Sequence, residues 1–134
     1  MALQYSVTLR NNQLDQIEAT IGASAILEIR SGNPPASTAD ADAGTLLVSI
    51  TLPADWMAAA ANGQVAKLGT WQATASASGT AGHFRIKNST GTTTHMQGTV
   101  TATGGGGDME LDNTSIASGQ TVTIDTFTIT AGNA

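Results

Sequence analysis

Apolar and polar residues alternate with a period of two along most of the chain, which predicts a protein built mainly from β-strands. The clearest strand covers residues 46–52, where apolar positions alternate with positions such as Ser49 and Thr51, and Leu47 falls on the outer face. The same kind of alternation predicts further strands, at residues 25–30, 65–75, 83–88, 94–102, 108–112 and 122–129. Seven or eight short strands separated by turns indicate an antiparallel β-sandwich or jelly roll.

The apolar face changes parity near the end of the chain. Val122 and Ile124 occupy even positions, whereas Phe127 and Ile129 occupy odd ones. Because a slip of one residue would turn a buried set towards water, a β-bulge or a strand crossing is predicted near residues 125–126. A last strand this apolar is expected in the middle of a sheet. Gly98, inside another predicted strand, indicates a bulge or a close backbone contact.

One segment has helical spacing instead. Its apolar residues lie on one face of a helix: Val7, Leu14, Ile17 and Ile21. Residues 6–22 are therefore predicted to form a helix, with Ser6 or Thr8 as a candidate N-cap and Gly22 as the residue after its end. An arm of residues 1–5 precedes this helix, the strands occupy residues 25–134, and residues 54–61 are expected to form a helical turn.

Length and composition limit the classes of function. A chain of 134 residues is expected to form one domain, residues 1–134. The net charge of −5 argues against a nucleic-acid partner, because phosphate binding needs clustered cations. The five basic residues are spread along the sequence: Arg10, Arg30, Lys67, Arg85 and Lys87. No apolar run approaches the ~20 residues of a membrane span, so no membrane partner is expected.

Catalytic and metal-binding patterns are weak. No G-x-S-x-G motif frames a serine nucleophile, and the chain has no cysteine. His83 and His95 lie on the two arms of the predicted 83–102 hairpin and could approach each other, but a zinc site would need two more ligands. Both histidines are predicted to face solvent or an interface. We expect no enzyme activity and no cofactor.

Two acidic clusters and a glycine run complete the candidate chemistry. Asp40 and Asp42 share a loop, and the acidic residues of 108–112 share one strand face, which could offer oxygen ligands to Ca²⁺. No EF-hand loop is present, so solvated acidic surfaces are the preferred interpretation. Residues 104–107 are four glycines without the lysine of a phosphate-binding loop, and a loose linker or turn is expected there.

Five apolar residues have no evident place in a sandwich core and are predicted to form an interface: Leu3, Tyr5, Leu47, Trp56 and Met57. Large aromatic residues are favoured at the centres of interfaces. For Trp56 an alternative stays open, in which the indole closes one end of the core.

Three stretches carry a resemblance to a known family. They are SVTLRNNQLDQIEATIGASAILEIRSGNPPAS near the start, HFRIKNSTGTTTHMQGTV in the middle and MELDNTSIASGQTVTIDTFTITAGNA at the end. Together they resemble small proteins encoded among the head genes of tailed phages and prophages, which are similar to capsid cement or decoration proteins. The resemblance implies a jelly-roll domain on the outer surface of the virion. It also implies two partners, the major capsid protein and further copies of the chain in a homodimer or homotrimer.

Two other functions remain open at the level of sequence. A head–tail adaptor, head fibre or tail component would use the same β-rich architecture, in fewer copies per particle. A carbohydrate-binding β-sandwich would need an exposed aromatic platform, and aromatic residues make up only 4% of the chain.

Overall fold

The chain folds into one N-terminal helix followed by ten β-strands, in a computed structural model that describes residues 3–131. The helix is α1 (Val7–Ile21). The strands are β1 (Ile26–Ser31), β2 (Leu46–Thr51), β3 (Gln64–Ala66), β4 (Trp71–Thr74), β5 (Gly79–Lys87), β6 (Thr94–Ala102), β7 (Met109–Leu111), β8 (Ser115–Ile116), β9 (Thr121–Ile124) and β10 (Thr128–Thr130). A mainly β fold with one N-terminal helix is therefore confirmed. Residues 1–2 of the predicted arm and residues 132–134 lie outside the described residues.

The principal sheet has the order β2-β1-β5-β6-β7, and β8 pairs with the start of β5. Neighbouring strands are antiparallel except for β6 and β7, which are parallel. The sheet is therefore mixed, and the expectation of a wholly antiparallel arrangement is wrong. Two separate antiparallel pairs, β3–β10 and β4–β9, complete the strand pairing of the described residues.

One strongly apolar core lies on the inner face of the principal sheet. The side chains of Leu27, Ile29 and Ile86 are fully enclosed there. Burying an aliphatic side chain of this size contributes about 1.5–3 kcal/mol. A chain of aromatic rings continues the core, with ring centroids 5.5–6.0 Å apart: Trp56, Trp71, Phe127 and Phe84.

The middle of the chain departs from the prediction. Residues 54–61 form no helical turn; they run extended beside β3, with isolated bridges that pair Met57 with Lys67 and Ala61 with Gln64. The strand predicted at residues 65–75 is two strands, because β3 pairs with β10 whereas β4 pairs with β9.

The strand crossing predicted near residues 125–126 is confirmed. Val122 and Ile124 of β9 are buried beside β4, and after the crossing Phe127 enters the core while β10 pairs with β3. The change in parity therefore marks a change of pairing partner. The expectation that the last strand lies in the middle of a sheet is wrong, since β10 belongs to a two-stranded pair.

The four glycines lie in a short, compact loop and do not form a loose linker. This loop carries the chain from the end of β6 back to the level of Val100, where the parallel strand β7 begins. Parallel neighbours usually need a connection of about a dozen residues or more, whereas residues 103–108 suffice here. A Cβ at Gly105 would lie 2.7 Å from Cβ of Thr101, and one at Gly107 would lie 2.9 Å from the Thr101 backbone nitrogen. Missing side chains therefore allow the chain to fold back over Thr101, whose hydroxyl accepts a hydrogen bond from the Gly107 N–H at 3.0 Å.

Candidate functional site

The most exposed apolar surface of the described residues lies at the N-terminus. Leu3 is 72% exposed and Tyr5 is 37% exposed, as expected from the sequence. The first turn of α1 adds Val7 and Leu9, each nearly half exposed. Val7 was expected on the buried stripe, but only the later part of the helix, from Leu14 onwards, packs on the core. We call Leu3, Tyr5, Val7 and Leu9 the N-terminal apolar surface.

A regular N-cap fixes the helix beside this surface. The Ser6 side chain accepts a hydrogen bond from the Leu9 N–H at 3.1 Å, so Ser6, and not Thr8, is the N-cap. At the other end, the Gly22 N–H donates to the Glu18 carbonyl at 2.8 Å, and Gly22 has a φ of 98°. The N-cap therefore stabilises the first turn of the helix, although the apolar side chains of that turn are exposed to water.

Three of the five predicted interface residues are buried: the expected exposure is wrong for Leu47 and Met57, whereas the burial of Trp56 agrees with the alternative left open for it. Leu47 is enclosed because the segment after β4 crosses the outer face of β2: the Leu47 carbonyl accepts from the Ser76 N–H at 2.8 Å, and Gly79 lies against the Leu47 side chain. Trp56 closes the core instead, and its indole N–H donates to the Gly22 carbonyl at 2.9 Å. Met57 is buried beside it.

A ladder of polar side chains joins α1 to the segment that carries Trp56 and Met57. Asn11 Oδ1 accepts from the Gly63 N–H and Asp15 Oδ1 accepts from the Ala60 N–H, each at 2.9 Å. Glu18 Oε2 accepts from the Met57 N–H. The spacing of Asn11, Asp15 and Glu18 places them on one helical face. We call them the helix ladder; the apolar stripe of α1 does not reveal it, because its residues are polar and their partners lie at least 39 positions away in the sequence.

The pKa of the Glu18 carboxyl group is raised at this position in the helix ladder. Burial raises its pKa, and the neighbouring Asp55 raises it further through a side-chain hydrogen bond and through charge repulsion. The backbone N–H of Met57 lowers the pKa but does not offset these effects. An ionised Glu18 is therefore held at a cost in the folded state.

The outer face of the principal sheet carries a layer of polar residues. Its members alternate with the core residues of β1, β5 and β6, and all have partly or fully buried side chains: Glu28, Arg30, His83, Arg85, Lys87 and Gln97. We call this set the polar layer. It corrects the view that the basic residues are scattered, because Arg30, Arg85 and Lys87 converge here. Strand pairing brings them together, since Glu28 lies opposite Arg85.

A loop between β1 and β2, residues 32–44, covers the polar layer; we call it the strap. Arg85, 1% exposed, donates to the Thr38 carbonyl at 2.8 Å and to the Asp40 carbonyl at 3.1 Å. The strap carboxylate of Asp42 accepts from Arg85 at 2.6 Å and from Lys87 at 2.7 Å. Arg30 reaches the same carboxylate at 3.1 Å. Asp42 is therefore the acceptor shared by three cations.

The three neighbouring cations change the pKa of the Asp42 carboxyl group. Burial by itself would raise its pKa, but the hydrogen bond from Lys87, the charge of Arg30 and the hydrogen bond from Arg85 outweigh it, so the pKa is lowered. The cleft beside the strap, about 480 Å³, is lined by Arg85, Lys87 and threonine hydroxyls. Since the strap itself pairs these cations, the arrangement fastens a loop rather than presenting free charges to a ligand.

The two histidines are not brought together. His83 pairs with Thr99 in the β5–β6 register, away from His95, which is exposed. The prediction that both face solvent or an interface is wrong for His83, which is fully buried under the strap. Among residues 3–131, no group of three His, Cys, Asp or Glu side chains is arranged to hold a metal ion. The part of the chain that the structure describes contains no helix long and apolar enough to cross a membrane.

Comparisons with known proteins give no relative: no family model, no curated protein and no solved structure matches the chain.

Proposed function

We propose that the chain is a structural protein of a phage virion: a capsid decoration protein that binds the outer surface of the capsid and clamps neighbouring major capsid protein subunits. The N-terminal apolar surface carries the proposal. Leu3, Tyr5, Val7 and Leu9 are exposed in succession along the arm and the first helical turn. Four exposed apolar side chains within residues 3–9 offer a contact surface that another protein would cover.

The attachment of the helix supports this proposal. Because the helix ladder and the Trp56 indole fix α1 to the body of the protein, the helical part of the N-terminal apolar surface, Val7 and Leu9, stands on a rigid support. A preorganised surface loses less conformational entropy when it binds. Contacts of about 800 Å² per partner are enough for a specific interface, and many copies on a lattice reinforce each other.

The same proposal includes self-association as a homodimer or homotrimer and a jelly-roll relationship, both of which follow from the family resemblance. Antiparallel pairing of β1, β2, β5 and β6 around one core supports the jelly-roll description. The parallel β6–β7 pair departs from it. The burial of four aromatic rings speaks against a carbohydrate-binding module, because Trp56, Trp71, Phe84 and Phe127 offer no exposed platform.

The copy number of the protein in purified virions tests the proposal. Quantitative mass spectrometry should give a simple ratio to the major capsid protein, of order one. A dozen copies or fewer would indicate a head–tail adaptor, a head fibre or a tail component instead. Complete absence from virions would refute a structural role.

A binding experiment tests the N-terminal apolar surface itself. Leu3→Ala combined with Leu9→Ala should weaken binding to undecorated capsids at least about tenfold, since each truncation at a buried contact removes about 1 kcal/mol or more. Leu68→Ala is a matched control, because Leu68 is exposed to a similar degree as Leu9 but lies elsewhere. Equal capsid binding by the double variant and the control would exclude this surface as the contact.

A further inference from the structure

Three buried polar atoms beneath the strap have no hydrogen-bond partner among residues 3–131: His83 Nε2, Arg85 Nε and Gln97 Oε1. They are neighbours on one face of the sheet. Arg85 lies directly opposite Gln97 in the β5–β6 ladder, and His83 is two residues before Arg85 on the same strand. Directly paired residues have Cβ atoms about 5 Å apart, and diagonal neighbours about 7–8 Å apart. Unpaired buried polar groups are rare, so three together require an explanation.

The remaining contacts of each side chain fix its hydrogen-bonding role. His83 Nδ1 lies 2.9 Å from the Gly32 carbonyl oxygen, which can only accept. Nδ1 therefore carries a proton, and in the neutral form of the ring Nε2 has a lone pair. Gln97 donates its amide N–H to the Pro35 carbonyl at 2.7 Å, which leaves Oε1 as an acceptor. Arg85 Nε always carries a hydrogen, so the group consists of two acceptors and one donor.

The composition of this group selects its ligand. A cation would have no acceptor for the Arg85 N–H and would lie close to Arg30, which pairs with His83 across β1 and β5. An anion would face two lone pairs. An alcohol has a single hydrogen to donate. Water donates two hydrogen bonds and accepts one or two, and buried waters typically make about three.

We infer that a single structural water molecule is bound between His83, Arg85 and Gln97 beneath the strap. It donates to His83 Nε2 and Gln97 Oε1 and accepts from Arg85 Nε. Each of the three side chains also binds a strap carbonyl, of Gly32, of Pro35 or of Thr38 and Asp40. The water therefore connects the three attachments into one network and is a component of the strap's fastening. This inference is independent of any role in the virion.

A high-resolution crystal structure of the wild-type protein tests the site directly. We expect an ordered water within about 3.2 Å of all three atoms, with a crystallographic B-factor similar to those of the surrounding side chains. Imidazole nitrogen chemical shifts should show His83 protonated at Nδ1 alone. The inference is refuted if the three side chains contact one another directly, or if the position holds an ion.

A variant provides a second measurement in solution. Gln97→Met removes one acceptor, so magnetic relaxation dispersion of water should detect one fewer long-lived water molecule than in the wild type. Gln72→Met, at an exposed glutamine on β4, should leave the number unchanged. An unchanged number in Gln97→Met would overturn the assignment. Should that variant fail to fold, the wild-type structure still decides the question.

Discussion

Gly98 lies directly opposite Phe84 in the β5–β6 ladder, and the Phe84 ring occupies the space that a side chain at Gly98 would need. A Cβ there would lie 2.7 Å from Cε1 of Phe84 and 2.9 Å from Oδ2 of Asp108. The ring crosses the backbone of β6 and meets Phe127 edge-on, with centroids 5.5 Å apart. The close backbone contact predicted from the glycine is confirmed.

Gly98→Ala should therefore destabilise the protein by about 1–3 kcal/mol, the usual cost of overpacking a well-filled core. Urea denaturation followed by tryptophan fluorescence measures this change in the free energy of unfolding.

Phe84→Leu provides the control for this prediction, because it removes the ring atoms that a Cβ at Gly98 would meet. The cost of Gly98→Ala should be smaller in the Phe84→Leu background by at least about 0.5 kcal/mol, as for residues in contact. Equal costs in the two backgrounds would show that the contact does not limit residue 98.

The local elements were predictable because they depend on short-range periodicity. The helix, the 83–102 hairpin and the change in parity near residues 125–126 all follow from spacing of two or of 3.6 residues. Strand pairing was not predictable in the same way. A stretch such as 65–75 reads as one strand, but β3 and β4 have different partners, and nothing within the stretch specifies β10 or β9.

The candidate site was predictable only where exposure depends on the local sequence. Leu3 and Tyr5 precede the first element and are exposed, whereas Leu47 and Trp56 are covered by segments distant in sequence. Two signals in the sequence indicate the polar contacts of the fold. The residues of the helix ladder recur at helical spacing, and the charged residues of 28–30 and 85–87 alternate with apolar ones, which places the charged side chains together on the face opposite the core.

The helix ladder gives a prediction about single hydrogen bonds. Asp15→Ala should cost about 1 kcal/mol, because the Ala60 N–H loses the acceptor that now lies at 2.9 Å. Hydrogen exchange at the Ala60 amide should accelerate. Asp15→Asn keeps an acceptor oxygen and should restore most of the protection, while Gln16→Ala, on the exposed side of α1, should stay within about 0.5 kcal/mol of wild type. Unchanged exchange at Ala60 in Asp15→Ala would contradict the ladder.

The strap should loosen in acid because its shared carboxylate becomes neutral. The pKa of Asp42 is lowered in the folded protein, so its stabilising contribution is complete above the unfolded pKa of about 3.9 and is lost as the pH falls through the folded pKa. Strap amides should therefore exchange faster as the pH falls below about 4, after correction for intrinsic rates. Asp42→Asn should show the loosened strap at neutral pH, with little further change in acid.

A charge control separates this effect from net charge. Asp112→Asn removes one negative charge at an exposed position after β7 and should keep the wild-type response of the strap. If Asp42→Asn and Asp112→Asn behave alike, the three ion pairs of Asp42 do not fasten the strap.

The contribution of Glu18 to stability should change with pH in the direction opposite to that of Asp42, and over a higher pH range. Its folded pKa is raised, first by burial and then by Asp55, so the folded state binds a proton more tightly than the unfolded state. The attachment of α1 should therefore gain stability as the pH falls from neutral through the folded pKa to about 4.3, and the penalty should return as the pH rises. Glu18→Gln keeps an acceptor for the Met57 N–H without the charge, so its stability relative to wild type should be greatest at neutral pH. That advantage should shrink towards about pH 4.3, above the pH range in which Asp42 titrates.

Chemical denaturation of wild type and Glu18→Gln across this pH range measures the difference in the free energy of unfolding. A constant difference would show that Glu18 titrates identically in the folded and unfolded states, and Glu18→Ala, which leaves the Met57 N–H without its acceptor, should be less stable than Glu18→Gln throughout.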